Sequence, residues 1–483
     1  MKLNLSVLLI LLIFSFSGCL DLKEIAFISL EANFTPSQSI TNVGSPVIFR
    51  QQSTEVASTF LWSFGDNTTS TEYEPAHSFD TTGLFTIKLV ITKADGITKD
   101  SITKTVRVLP PTEVPAEART YSTDTDLIQG DEFGFCFEKL ADGHLIVGRK
   151  NLNILYVIRT NAAGDTLLTR QFSNITQGKI VPTDVERDFN GDSFVITGYF
   201  QYQTNDHDAF IMRINENGEQ DWLIVNATGR DERYTKVIDL GPAYLAVGNV
   251  KNINLESSNQ ISTDIYTKDG ALANSENIGS SNWVVSDVKF LRETGEFVLA
   301  ATEGDTPLLI RYSTTSNEVI TTKLPFRGRS LGVEAIPNPT APNIYEYILI
   351  GETTITSSDS TNAFVVRIDQ FGNVPNAANT DKVVFYKERL TNITALTNGE
   401  IIVSGTHQNP LTGKDVLLLK YSLVNNKLTR KAVSLLGGNK DDEGLQMVFD
   451  PASQKAELVG TTESFSKGFR DIYFFKVDKE TLK

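Results

Sequence analysis

The sequence predicts an all-β chain whose larger part is a seven-bladed β-propeller closed by an N-terminal strand, and three observations carry that prediction. First, an apolar run closing on a small residue recurs seven times: Leu145-Ile146-Val147-Gly148, Phe194-Val195-Ile196-Thr197-Gly198, Leu245-Ala246-Val247-Gly248, Phe297-Val298-Leu299-Ala300, Ile348-Leu349-Ile350-Gly351, Ile401-Ile402-Val403-Ser404-Gly405 and Leu458-Val459-Gly460. The closing residues are 50, 50, 52, 51, 54 and 55 positions apart, and a fixed period of ~50 residues marks a repeat built from four short strands per blade. Second, six repeats carry a further unit of three apolar residues and a base: Tyr156-Val157-Ile158-Arg159, Phe210-Ile211-Met212-Arg213, Leu308-Leu309-Ile310-Arg311, Phe364-Val365-Val366-Arg367, Leu417-Leu418-Leu419-Lys420 and Tyr473-Phe474-Phe475-Lys476. Third, the last repeat stops at Lys483 just after that unit, one strand short, and the unassigned segment Ala118–Leu127 has the right length to supply it. Pairing of that segment with Ile472–Val477 closes the ring and removes the exposed sheet edges of an open array.

The chain opens on a targeting segment. Lys2 precedes an apolar stretch from Leu5 to Phe16, shorter than the ~20 residues that span a bilayer. It ends in Phe16-Ser17-Gly18-Cys19, which resembles a bacterial lipobox with phenylalanine in place of the usual leucine. The resemblance implies a signal peptide over residues 1–18, acylation of the Cys19 thiol, and a short tether over residues 19–25. Two or three acyl chains anchor a protein stably, whereas one binds only marginally. Asp21 and Glu24 loosely resemble the acidic surface-export signal of some Bacteroidota. The expected location is therefore the outer membrane, facing either the surface or the periplasm.

Residues 26–109 read as short alternating strands. Phe85, Ile87, Leu89 and Ile91 alternate with polar or outward positions, Asp95-Gly96 makes a tight turn, and Ile102 to Val108 returns. The stretch Leu61-Trp62-Ser63-Phe64-Gly65-Asp66-Asn67, followed by Pro75, His77, Phe79 and Gly83, closely resembles the polycystic-kidney-disease-type (PKD) domain. Asn67 stands where that family has glycine, which is tolerable because Asn also adopts left-handed turns. The resemblance implies an immunoglobulin-like β-sandwich serving as an extracellular spacer or adhesion module. Trp62 and Phe64, two apart, share one face and are expected in the core, and His77 is expected to be structural. Pro110-Pro111-Thr112-Glu113-Val114-Pro115 then reads as a stiff linker over residues 110–117.

The propeller occupies residues 118–483. The apolar-plus-base units fit third strands buried between neighbouring blades, with their bases ion-paired or solvated at the strand ends. The third repeat departs, matching only loosely as Asp264-Ile265-Tyr266-Thr267-Lys268. The spacing from small residue to base varies from 11 to 16, so insertions concentrate in the loop joining the second and third strands. Variable loops on one face commonly carry binding. The candidates on that face are Tyr199, Tyr202, His207, Arg230, Arg233, Trp283, Arg327, Arg329 and His407, with Asp441 and Asp442 beside them. Aromatic and arginine side chains suit stacking on sugars or anchoring a protein partner.

Composition narrows the function classes. A net charge of −15 argues against nucleic acid, whose phosphates need clustered Lys and Arg. The only cysteines, Cys19 and Cys136, show neither disulfide nor zinc spacing, and Cys136 between Phe135 and Phe137 reads as a buried small hydrophobe. Asp188-Phe189-Asn190-Gly191-Asp192 begins like a calcium loop but lacks its glycine and its glutamate, so it reads as a hairpin turn. Asp206-His207-Asp208 reads as a solvated acidic loop. No cofactor, metal site or catalytic motif is expected. The function expected is non-catalytic binding of a glycan or protein ligand by a lipid-anchored protein. The alternatives are an accessory subunit of an outer-membrane assembly and a polysaccharide-degrading enzyme with paired carboxylates.

Overall fold

The computed structural model describes residues 29–54, 56–122, 130–173, 178–202, 206–251, 259–279, 282–338, 341–354, 361–374, 379–383, 387–396, 399–424 and 427–483. The leader and Cys19 lie outside the described residues. The chain forms two compact units, Met1–Leu109 and Pro110–Lys483.

In the first unit, a sheet of Phe34–Pro36, Pro46–Gln51 and Ala76–Ser78 accompanies one of Ile40–Asn42, Lys99–Leu109, Gly83–Lys93, Ala57–Ser63 and Thr69–Ser70. Alternation sends Ile87, Leu89 and Ile91 inward, and they are fully buried with Trp62 and Phe34. The Trp62 ring meets Phe34 edge-on at 5.2 Å. Asn67 takes the left-handed conformation at φ 70°. His77 stacks on Phe64 at 4.1 Å and pairs with Asp66 at 2.6 Å, so its partner comes from the Trp-Ser-Phe-Gly-Asp stretch itself.

The second unit is a ring of seven antiparallel blades. Blade one runs from Glu132 to Phe172, blade two from Lys179 to Asn226, blade three from Asp231 to Ile278 and blade four from Trp283 to Lys323. Blade five runs from Gly328 to Val383, blade six from Glu388 to Leu436 and blade seven from Asp442 to Asp478. The first strands of successive blades neighbour one another around the axis, and Glu132–Leu140 of blade one meets Asp442–Asp450 of blade seven. Blade seven supplies three strands, and Glu117–Tyr121 adds the fourth, with Ala118 opposite Phe475 and Tyr121 opposite Ile472. The closing strand thus begins one residue earlier than the sequence suggested.

Every first strand bulges at the same place. The extra residues are Phe135, Thr183, Thr235, Ser286, Leu331, Thr391 and Leu445. A bulge bends its strand and increases the local twist. Just before it, the first strand presses a carbonyl against the second strand. At Gly148, Gly198, Gly248, Gly351, Gly405 and Gly460 an added Cβ would overlap that carbonyl oxygen. This close approach is the physical reason for the recurring small residue. In blade four the equivalent residue is Ala301, opposite Val285, rather than Ala300.

The bases after the apolar triplets are all ion-paired. Arg159 meets Asp142, Arg213 meets Asp221, Arg311 meets Glu296, Arg367 meets Glu346, Lys420 meets Glu400, and Lys476 meets Glu457, at 2.5–3.2 Å. Two sequence readings need correction. In blade three Ser262, Thr263 and Asp264 occupy the triplet positions and Ile265 the basic one, because Gly248 pairs with Ser262 and Leu245 with Ile265. The proline-rich segment is not a free linker: Thr112–Glu113 pairs in parallel with Leu435 and Leu436 as a fifth strand of blade six. The extended conformation that proline favours is also that of a strand, and the outer edge of the blade offers unpaired backbone groups.

Candidate functional site

Antiparallel order puts the loops between second and third strands, and the connections between blades, on one face of the ring. The axis opens toward that face as a funnel of about 520 Å³. All seven bulged residues line it. The hydroxyls of Thr183, Thr235 and Ser286 follow one another around blades two to four and Thr391 stands in blade six, with apolar Phe135, Leu331 and Leu445 in blades one, five and seven, giving a wall that mixes hydrogen-bonding and apolar surface. The bulge is what turns these side chains toward the axis.

Side chains just after the bulges stitch neighbouring blades together. Asp184 accepts from the Val237 amide at 3.1 Å and Asp287 from the Val333 amide at 3.0 Å. Gln446 accepts from the Phe137 amide, and Asn392 donates to the Leu445 carbonyl at 2.7 Å. Lys236 pairs with Asp184 at 2.8 Å. Burial opposes the lysine's charge, but Asp184 and Asp287 override it and hold its pKa above the ordinary range. Burial pushes the Asp287 carboxyl up to about 6. Cys136 holds the equivalent place in blade one, buried, its thiol pKa raised by burial.

The funnel continues into a recess between blades one, two and seven, lined by Phe133, Phe135, Arg149, Tyr199, Leu445 and Arg470 among others. The Arg149 guanidinium lies 4.3 Å from the Phe133 ring centre, and that of Arg470 lies 5.2 Å from it. Arg149 is fixed by bonds to the Asn151 and Ile180 carbonyls, and burial draws its pKa down to about 10. On the funnel side, Arg233 lies 5.8 Å from the ring of Tyr199, which lines both the funnel and the recess. Asp231 holds Arg233 at 2.8 Å and Glu463 holds Arg470 at 2.6 Å, so it is the faces of these guanidinium groups and of the aromatic rings that suit stacking on a flat ligand group.

The sequence-predicted residues divide by position. Tyr199 and Arg233 line the funnel. His207 is buried behind them, 5.3 Å from the Tyr199 ring and 3.1 Å from Asp231. Burial, then Arg233, lowers its pKa. Tyr202 packs on the core of blades one and two. Trp283 is enclosed in the core of blades three and four, its Nε1 donating to Glu303 at 3.3 Å. His407 is fully buried against Glu388 at 3.1 Å. Arg327 and Arg329 stand exposed, 3.2 Å from Asp305 and 3.9 Å from Glu352. Asp441 accepts from the Lys414 amide, and the buried Asp442 accepts from the Gly438 amide and the Ser464 hydroxyl. Asp188 closes a turn with the Gly191 amide at 2.7 Å. Arg230 lines a separate cavity in blade three. Sequence reasoning missed Phe133, Arg149 and Arg470; the alternation of Phe133 with Phe135 on one strand face was the available signal. Among the described residues no group of three or more His, Cys, Asp or Glu is placed to hold a metal ion.

Residues 31–108 match the PKD domain. Among solved structures the chain resembles, two are named as β-propellers. The chain is similar to the β-propeller domain of Cps50 (Swd1) from Myceliophteria thermophila at 10% identity, covering 74% of this chain and 98% of the other with a TM-score of 0.42. It is similar to the Dos1 propeller at 10% identity, over 74% of this chain and 95% of the other, with a TM-score of 0.41. An auxiliary nutrient binding protein from Bacteroides thetaiotaomicron is similar at 10% identity, over 92% of this chain and 97% of the other, with a TM-score of 0.35. These likenesses concern fold alone. No curated protein sequence matches the chain.

Proposed function

We propose that the chain is a lipoprotein of Bacteroidota type, anchored in the outer membrane through acylated Cys19, whose ring binds an extracytoplasmic glycan or protein ligand without catalysing a reaction. The observation that carries the binding reading is the recess at the funnel mouth, where Arg149 and Arg470 lie against one phenylalanine, together with the adjoining funnel wall, where Arg233 lies by Tyr199. Such anchors supply most of the binding energy in known interfaces. On the same face, in the loops between second and third strands of blades one, six and seven, Leu152, Leu411 and Phe469 are 63%, 51% and 64% exposed. Exposed apolar side chains beside held arginines favour a protein surface over a free sugar. The non-catalytic reading draws on the commitment of the funnel's lysine, Lys236, to Asp184.

The test is binding of the purified chain to envelope proteins and to a glycan panel, with Tyr199→Ala and Arg470→Ala combined in one variant. A specific ligand is expected whose affinity falls about tenfold or more in the variant, equivalent to ~1.4 kcal/mol. Equal affinity for variant and parent would place the ligand elsewhere.

A further inference from the structure

Blade three breaks the repeat's internal rule at two positions of its third strand. Opposite the recurring small residue, the third strands of the other blades carry Tyr156, Phe210, Leu308, Phe364, Leu417 and Tyr473. All six are buried. Blade three has Ser262 there. Two residues on, where the others have Ile158, Met212, Ile310, Val366, Leu419 and Phe475, it has Asp264. The missing side-chain volume is an open cavity of about 320 Å³ between the outer strand of blade two and blade three.

The polar groups of this cavity are arranged, not scattered. Asp264 accepts from the Tyr234 hydroxyl and from the Ser275 hydroxyl, each at 2.5 Å. Tyr234 also shares a bond with Tyr266 at 2.7 Å and receives one from Asn226 at 2.6 Å. Glu232 is the exception. It is 7% exposed and one of its oxygens takes the Thr228 hydroxyl and the Arg230 guanidinium. Its Oε2 is buried with no hydrogen-bond partner among the described residues. A buried carboxylate oxygen without a donor is unfavourable and is expected to acquire one. Burial holds the Glu232 carboxyl above the ordinary carboxylate range. Among the described residues the lining sets three carboxylates, Glu232, Asp264 and Glu276, against the one guanidinium of Arg230, with Val250 and Leu272 as apolar surface.

We propose that this cavity is a second binding site, which takes a small ligand bearing a primary ammonium group received by the Glu232 carboxylate, whose now enclosed Oε2 turns toward the cavity as the ligand binds. The cation completes the unpaired oxygen and offsets the excess negative charge, and a short carbon segment lies along Val250 and Leu272. A glycan or protein bound in the axial funnel is a separate matter, so this inference does not rest on the function proposed above.

The experiment is calorimetric titration of the full chain with putrescine, spermidine, glucosamine and glucose, repeated on Glu232→Gln and Ser262→Leu. Leucine is the residue blades four and six carry at that position, and thermal melts check that both variants fold. At least one ammonium probe is expected to bind saturably, about tenfold or more weakly in Glu232→Gln, and not at all in Ser262→Leu, while glucose does not bind. Should Ser262→Leu fail to fold, Glu232→Gln decides alone. The proposal is overturned by saturable binding of none of the three amines, by glucose binding as tightly as glucosamine, or by unchanged affinity in Glu232→Gln.

Discussion

The hydroxyl of Tyr121 donates to the carbonyl of Gly164 at 2.8 Å. Tyr121 ends the strand that completes blade seven, and Gly164 lies in the turn between the third and fourth strands of blade one, so one side chain clasps the two blades between which the ring closes. The strand pairing and this bond act together: the first fills the open edge of blade seven, the second ties that edge to its neighbour.

Tyr121 is nearly buried in the apolar cluster of blades one and seven. Tyr121→Ala is expected to cost about 3 kcal/mol, as for other large buried aromatics. Tyr121→Phe, which loses only the hydrogen bond, is expected to cost about 1 kcal/mol. Urea unfolding followed by tryptophan fluorescence measures both. Equal, negligible losses would mean that the ring holds without its clasp.

The carbonyl of Val181 rests on Gly198 so closely that a Cβ would overlap it. Gly198→Ala is therefore expected to destabilise by about 1 to 3 kcal/mol, the range for overpacking. In blade four, Ala301 already occupies the equivalent place, buried, and Ala301→Gly is expected to cost less than about 1 kcal/mol through backbone entropy and lost packing alone. The same denaturation series separates them. If alanine is as well tolerated at 198 as at 301, the close approach of the Val181 carbonyl is not what selects glycine there.

The period, the number of blades and the closing strand were legible because each is a matter of counting residues between apolar runs. The bulge was not legible, because the one-step shift it puts into the alternation is short and lies in first strands that are not uniformly apolar, and Ala300 rather than Ala301 stood out because either alanine can close the run Phe297-Val298-Leu299. Blade three misled for a related reason: Asp264-Ile265-Tyr266 keeps some apolar character, but strand register is set by pairing with Gly248, which points to Ser262. Trp283 and His407 were read as binding residues from type and loop position, yet both lie at strand positions whose side chains turn into the core. The recess residues Phe133, Arg149 and Arg470 come from blades one and seven, which meet only when the ring closes, so their proximity is invisible along the chain.

Acid should loosen the closure of the ring at Glu457. This carboxylate of blade seven is fully buried 3.0 Å from His144 of blade one and 2.9 Å from both Lys139 and Lys476. Burial opposes its charge, but those hydrogen bonds override it and draw its pKa down to about 2 from an ordinary 4.5. The folded value lies below the unfolded one. The stability it confers is thus present above pH ~4.5 and lost as pH falls toward ~2, amounting to roughly 3 kcal/mol. Glu457→Gln is expected to be less stable at pH 7 and to show a flatter dependence over that window. Parallel curves for the two proteins would assign the acid sensitivity to other groups.

Lipidation predicts a mass. Protein recovered from membranes is expected to begin at Cys19 and carry acyl chains there, and Cys19→Ala is expected to shift the chain into the soluble fraction. An unmodified N-terminal peptide from membrane-bound protein would contradict the anchor.

The most direct test of the binding account places a photo-crosslinking benzoylphenylalanine at residue 199, at the funnel mouth, and separately at residue 189, in the turn on the opposite face of the same blade, where Phe189 is 79% exposed. Irradiated in cells, the probe at 199 is expected to yield a discrete adduct that the probe at 189 does not. Adducts at 189 with none at 199 would contradict the assignment of the loop face as the binding face.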